Sequence, residues 1–202
     1  MATTSMKIGA GVVAGAVLVV GAFLAGKSFV ESPKQSATTT TATTAAPPLV
    51  EFRDDRAGWA ISYPRAWNRF EPKDANIALV VSEKATEQNT GGSILARVLT
   101  LGGPVTDANL AEAKEKVTDL VVTGEGIRNI TDPAVIHQAG LPGWFYFYSF
   151  KDPTSGQEGV HSHYFLFKGS TMISFVFQAL PKDDFQRLAN LYDAVIGSFR
   201  VL

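Results

Sequence analysis

Cysteine is absent from all 202 residues. That excludes disulfides, thiolate metal sites, cysteine nucleophiles and a lipid-modified N-terminal cysteine, so the folded part must be held by packing alone. An excess of one charge is missing too: 18 Lys and Arg stand against 19 Asp and Glu, for a net charge of -1. No run of basic residues occurs, which argues against nucleic acid as a partner, because phosphate binding needs a basic face. The chain also lacks a G-x-S-x-G elbow, a P-loop, an H-E-x-x-H motif and any repeated metal spacing. Histidine occurs only three times. These absences leave little for catalysis, and the expectation is a protein that is not an enzyme and carries no cofactor.

What is present divides the chain into parts. Ile8 to Gly26 runs without a charged or polar side chain. As a helix this stretch would be roughly 28 Å long, close to the hydrocarbon thickness of a bilayer. Lys7 and Lys27 bracket it at the positions of the two headgroup layers. A cleaved signal peptide would have a shorter apolar core and a small-x-small cleavage site, whereas Leu24-Ala25-Gly26 is a poor one, so an uncleaved anchor is expected. Charges differ little across the span: Lys27 and Lys34 are partly offset by Glu31. The short segment 1–7 is expected in the cytoplasm, with the rest of the chain outside the cell membrane.

Gly9, Gly11, Gly15 and Glu31 superficially resemble a dinucleotide-binding fingerprint. That motif works only between a strand and a helix within a βαβ unit, and a membrane span cannot supply one. Gly11 and Gly15 instead share the spacing of four that Ala22 and Gly26 repeat, a small-residue stripe on which another transmembrane helix could pack. From Ser32 to Pro48 the sequence turns to Thr, Ala and Pro with almost no large apolar residue. It cannot bury enough surface to offset its ordering entropy, so 27–49 is expected to be a disordered tether.

Residues 50–202 are the size of one domain. Strands are expected at Gly58–Tyr63, Ile77–Ser82, Ile94–Leu101, Leu120–Thr123, Ala134–Gln138 and Trp144–Phe150, with Asp54-Asp55 a turn before the first of them. A helix capped by Thr106 or Asp107 should bury Leu110, Ala113, Val117 and Leu120. Turns at Pro153–Gly156 and Lys168–Ser170 should join Gly143–Lys151, Gly159–Phe167 and Thr171–Ala179 into an antiparallel meander. A last helix should follow Asp183-Asp184, bury Phe185, Leu188, Leu191, Tyr192 and Val195, end at Gly197 and leave a tail that packs back. Trp144, Tyr146, Tyr148 and Phe150 point one way along their strand and Phe145 and Phe147 the other. A sheet apolar on both sides needs a layer on each. The fold class expected is α+β, an antiparallel sheet sandwiched between helices.

Gly58-Trp59-x-Ile61-x-Tyr63-Pro64-x-x-Trp67 resembles the opening strand and turn of the PsbP-like family. The order of the later elements is similar too: a strand from Gly143, Gly159–Phe167, Lys168-Gly169, a Phe-rich strand and a helix closing with Ser198-Phe199-Arg200. The resemblance covers Val50 to Leu202. It implies an α/β/α sandwich that acts without catalysis, in relatives that stabilise large membrane complexes or serve as envelope accessory factors. With the anchor and the Thr-rich linker, it resembles actinobacterial envelope proteins, some of which accompany mycolic-lipid exporters. Lipoprotein members carry an N-terminal cysteine, and here a membrane helix would replace the lipid. No catalytic or metal-binding residue is carried over.

Two features invite a site. His161 and His163 would share one face of a strand and could chelate a metal, but the only further imidazole is His137, and two histidines on a half-exposed strand read more simply as surface residues. Trp144, Tyr146, Tyr148, Tyr164, Phe165 and Phe175 could hold a lipid or face a partner, although core packing is the commoner use of such side chains. The function expected is a membrane-anchored accessory or assembly subunit of an integral membrane complex, such as a lipid exporter or a respiratory supercomplex. An envelope module binding a lipid or other apolar ligand is the alternative, and a hydrolase is a less favoured one.

Overall fold

A computed structural model describes residues 47–85, 91–122, 126–128 and 130–202. The expected span at 8–26, its packing positions Gly11, Gly15, Ala22 and Gly26, and nearly all of the linker lie outside the described residues. Among those described, no helix is long and apolar enough to cross a membrane.

The first strand, β1 (Leu49–Asp54), begins one residue ahead of the expected domain start and forms a hairpin with β2 (Trp59–Pro64). Asp54 shapes the turn between them: its carboxylate accepts the Ala57 N–H at 3.0 Å and its carbonyl accepts the Gly58 N–H at 2.8 Å. Asp54-Asp55 therefore joins two strands and does not precede the first. The chain continues through β3 (Asn68–Phe70), β4 (Ile77–Ser82) and β5 (Gly91–Val105). Thr106 caps a short 3-10 turn, Asp107–Asn109, that leads into α1 (Leu110–Val122). β6 (Ile127–Arg128), β7 (Ala134–Gln138) and β8 (Leu141–Lys151) follow. Ala139 and Gly140, both at positive φ, make the tight turn between β7 and β8.

β9 (Glu158–Leu180) turns back on itself near Gly169, where φ is +58°. Its first arm pairs with β8 and its second with β5. His161 hydrogen-bonds Gln178 at 3.1 Å, although seventeen residues in one straight strand would stand about 55 Å apart. The expected turn at Lys168–Ser170 is therefore present. The chain closes with α2 (Phe185–Gly197) and β10 (Arg200–Val201), which pairs with β2.

All pairings are antiparallel. The large sheet has the order β3-β4-β5-β9-β8-β6, with β7 also on the outer edge of β8, and β1-β2-β10 make a separate sheet of three. On one face α1 lays Leu110, Ala113, Val117 and Val121 against Trp144, Tyr146, Tyr148, Phe165, Phe167 and Met172. On the other, Leu188, Tyr192, Val195 and Ile196 of α2 join Trp59 and Ile61 of the small sheet over Ile94, Ile173, Phe175 and Phe177. The layer opposite α1 is thus a helix together with a three-stranded sheet.

Two expectations about α1 fail together. Leu120 is 50% exposed, and Val121 takes the buried place. The helix also runs on to Val122, so the described residues 120–122 of the strand expected at Leu120–Thr123 are helical. Val117 and Val121 are four apart, the spacing that keeps one helix face on the sheet, and that burial overrides the β-propensity of Val121-Val122.

Candidate functional site

Strand alternation decides what faces α1. Across β8 and the first arm of β9, Trp144 pairs with Phe165, Tyr146 with His163, Tyr148 with His161 and Phe150 with Gly159. Paired residues share a face, so this whole set points towards α1. Two of the aromatics tie the helix down through their polar ends. Trp144 donates its indole N–H to the Leu110 carbonyl at 2.9 Å, and the Tyr146 hydroxyl meets Thr118 Oγ1 at 2.7 Å. Tyr164 and Phe175 point through the other face: Tyr164 stacks on Phe145 and Phe177, and Phe175 on Trp59 and Phe199. The six aromatics singled out from sequence are therefore split four and two by the sheet, and all but Tyr164 are buried.

The histidines are not surface residues. His161 is 1% exposed and His163 6%. Their rings stack at 3.6 Å on Phe150 and at 3.7 Å on Phe165. Strand residues around them look polar, but α1 and the neighbouring aromatics close over this face. His137 is not brought to them. It lies on β7, bonded at 2.7 Å to Asp107, with both side chains more than half exposed. Its partner on β8, Pro142, is four residues from Tyr146, or about 13 Å along the strand. Among the described residues no group of three His, Asp or Glu side chains is placed to hold a metal. Ser162 faces away from both imidazoles, paired with Phe147 on the opposite side, so no serine–histidine dyad forms here.

The face does assemble a polar row. His161 Nε2 donates to Gln178 Oε1 at 3.1 Å, and Tyr148 OH lies 3.4 Å from His163 Nδ1. Arg97, on β5, stands near enough for its charge to act on His163. Burial holds both imidazoles well below the ordinary histidine range, helped at His163 by the Arg97 charge. Burial likewise pushes the Tyr148 phenol well up, so it keeps its proton. His161 Nδ1, His163 Nε2 and Arg97 Nε are buried without a hydrogen-bond partner among the described residues. Sequence reasoning missed Arg97 and Gln178. The signal was there: Arg97 interrupts the alternation between Leu95 and Leu99, where a charge has no reason to sit on an apolar face.

No known protein family and no curated protein matches the sequence. Solved structures do. The cyanobacterial PsbP of Synechocystis superposes with a TM-score of 0.52 at 14% identity, over 80% of this chain and 96% of that one. LpqN of Mycobacterium tuberculosis, described as involved in cell envelope biogenesis, gives 0.53 at 12% identity over 78% and 87%. The described domain has the PsbP-like fold. A protein of Bacteroides thetaiotaomicron shares it with a TM-score of 0.52 at 14% identity, and this chain spans about half, 48%, of that protein's length. In this PsbP-like domain the sheet carries the aromatic-lined polar row on one face and, on the other, the core formed with α2 and the small sheet.

Proposed function

We propose that the chain is a non-catalytic, membrane-anchored accessory subunit, whose PsbP-like domain stands outside the cytoplasm and serves an integral membrane complex of the cell envelope. The observation that carries this reading is the pairing, in one chain, of the uncharged run Ile8–Gly26 with a domain of the PsbP-like fold. The likeness to LpqN, an envelope-biogenesis protein, supports the same location. Exposed functional chemistry is sparse in the described domain: the histidines of the sheet are closed in, and the aromatics tie α1 and the core together. An apolar ligand would need those aromatics on one side of the sheet, and they occupy both.

The partner expected is a multi-subunit machine such as a lipid exporter or a respiratory supercomplex. Purification of the tagged full-length protein from membranes in mild detergent should recover it in a larger assembly of integral membrane proteins. Recovery only as a free monomer would overturn the reading.

A further inference from the structure

Two ionisable rings lie under a helix that no strand pairing holds. His161 and His163 share the sheet face that α1 covers, cross-strand from Tyr148 and Tyr146. Each packs on an aromatic ring, His161 on Phe150 at 3.6 Å and His163 on Phe165 at 3.7 Å. α1 closes this layer with Leu110, Ala113, Val117 and Val121, which join Tyr146, Tyr148 and Phe165 in one apolar cluster.

Among the described residues, no carboxylate is among the charges that act on either ring. β8 contributes the neutral phenols of Tyr146 and Tyr148, the second arm of β9 contributes Gln178, and β5 contributes Arg97. The inward side of α1 is apolar apart from Thr118, which meets the Tyr146 hydroxyl, and Lys114, whose ammonium lies over Trp144. Its acids, Glu112, Glu115 and Asp119, are exposed. Asp152, a buried carboxylate just past β8, is turned to the Ser155 N–H and hydroxyl at 2.7 and 2.6 Å, and Glu158 pairs with Lys182 in solvent. A proton on His163 therefore faces the Arg97 charge, and one on His161 faces His163. Charging the rings in place sets like charges together in an apolar layer.

The elements around the rings differ in how they are held. β8 and the first arm of β9 are laddered from Gly143 opposite Leu166 to Lys151 opposite Glu158, so moving either strand breaks a run of backbone hydrogen bonds. α1 belongs to no ladder. It is attached by its four apolar side chains, by the Trp144 indole on Leu110 O at 2.9 Å and by the Tyr146 hydroxyl at Thr118. Lifting it is the least costly movement that lets water reach both rings.

We propose that α1 is an acid-operated cover, which lifts from the sheet as His161 and His163 take up protons and bares the aromatic layer of Trp144, Tyr146 and Phe165. Burial keeps both rings neutral while they are covered, and once wet they return to the ordinary value of 6.5, so opening is favoured as pH falls below it. Between pH 7 and 5.5 each ring raises the opening constant about eightfold, and the pair about 70-fold. The device does not depend on the membrane-anchor reading.

The test is hydrogen exchange of the full-length protein in detergent, read as protection factors, which remove the intrinsic effect of pH on exchange. Interior amides of α1 should be less protected than those of β8 and β9 at both pH 7 and pH 5.5, the mark of an opening that leaves the sheet intact. They should also lose protection by about 70-fold between the two. In the double variant His161→Gln, His163→Gln this loss should vanish. The comparison of α1 with the strands is made on the wild type, so it decides the matter even where that variant misfolds. Protection of α1 equal to that of the strands at both pH values would overturn the proposal, because the helix then opens only with the whole fold. So would α1 protection that ignores pH, or a loss that persists in a folded double variant.

Discussion

Acidification from pH 7 to pH 5.5 is a perturbation whose effect follows from two buried rings. His161 and His163 are 1% and 6% exposed and, through burial first, titrate well below the ordinary value of 6.5. In this window the unfolded chain therefore binds protons that the folded one refuses. Lowered folded values mean that their contribution to stability is present above the unfolded value and is lost as pH falls below it. Each ring costs about 1.3 kcal/mol between pH 7 and 5.5, about 2.5 kcal/mol for the pair, a large share of a domain's usual margin. Glu83 and Glu158 do not confuse the reading. Arg187 and Lys182 hold their carboxylates below the ordinary 4.5, so their contribution is lost only at more acid pH. Urea unfolding of the protein in a phosphate-free buffer, followed by the fluorescence of Trp59, Trp67 and Trp144, measures the loss. The double variant His161→Gln, His163→Gln should unfold with a nearly flat dependence over the same interval. A flat wild-type profile, or a slope that survives in the double variant, would refute the assignment of buried neutral imidazoles.

Three further outcomes follow from packing and charge. Gly143→Ala puts a methyl carbon 2.3 Å from the Phe165 carbonyl oxygen, a backbone atom that cannot step aside, so thermal denaturation should show a loss of about 1–3 kcal/mol. Leu188→Ala removes a side chain that is 1% exposed between α2 and the sheet, and urea midpoints should record a loss of about 2–4 kcal/mol. Arg187→Ala breaks the two-pronged pair with Glu83 at 2.7 and 2.9 Å. Because Arg187 is half-exposed, solvent screening limits the cost to about 1 kcal/mol or less, and the difference from wild type should shrink in high salt.

Much of the fold could be read from residue order because local rules and tertiary packing agreed. Ala134–Gln138 alternates between turn signals and is a strand with those bounds. Trp144, Tyr146, Tyr148 and Phe150 alternate against Phe145 and Phe147, and the sheet is covered on both sides as that pattern requires. The readings that failed were those that needed a neighbour from elsewhere in the chain. Leu120 and Val121 are equally apolar, and only the seat of α1 on Trp144 and Tyr146 decides which is buried. β1 was hard to see because Leu49-Val50-Glu51-Phe52 follows a Thr- and Pro-rich stretch, and its partner β2 is what makes it a strand.

The histidine pair shows the same limit at the candidate site. Glu158-Gly159-Val160-His161-Ser162-His163 has the composition of a solvated strand. Nothing within it announces that Phe150 will lie across one ring and Phe165 along the other. The fold-back at Gly169 brings Gln178 to His161, and β5 then lays Arg97 beside the same face. Each of those residues breaks an apolar alternation in its own strand: Arg97 between Leu95 and Leu99, Gln178 between Val176 and Leu180. Misfit polar residues at inward positions of separate strands are individually costly when buried. Their convergence on one face, where Gln178 meets His161 and the Arg97 charge reaches His163, makes each part of the others' explanation.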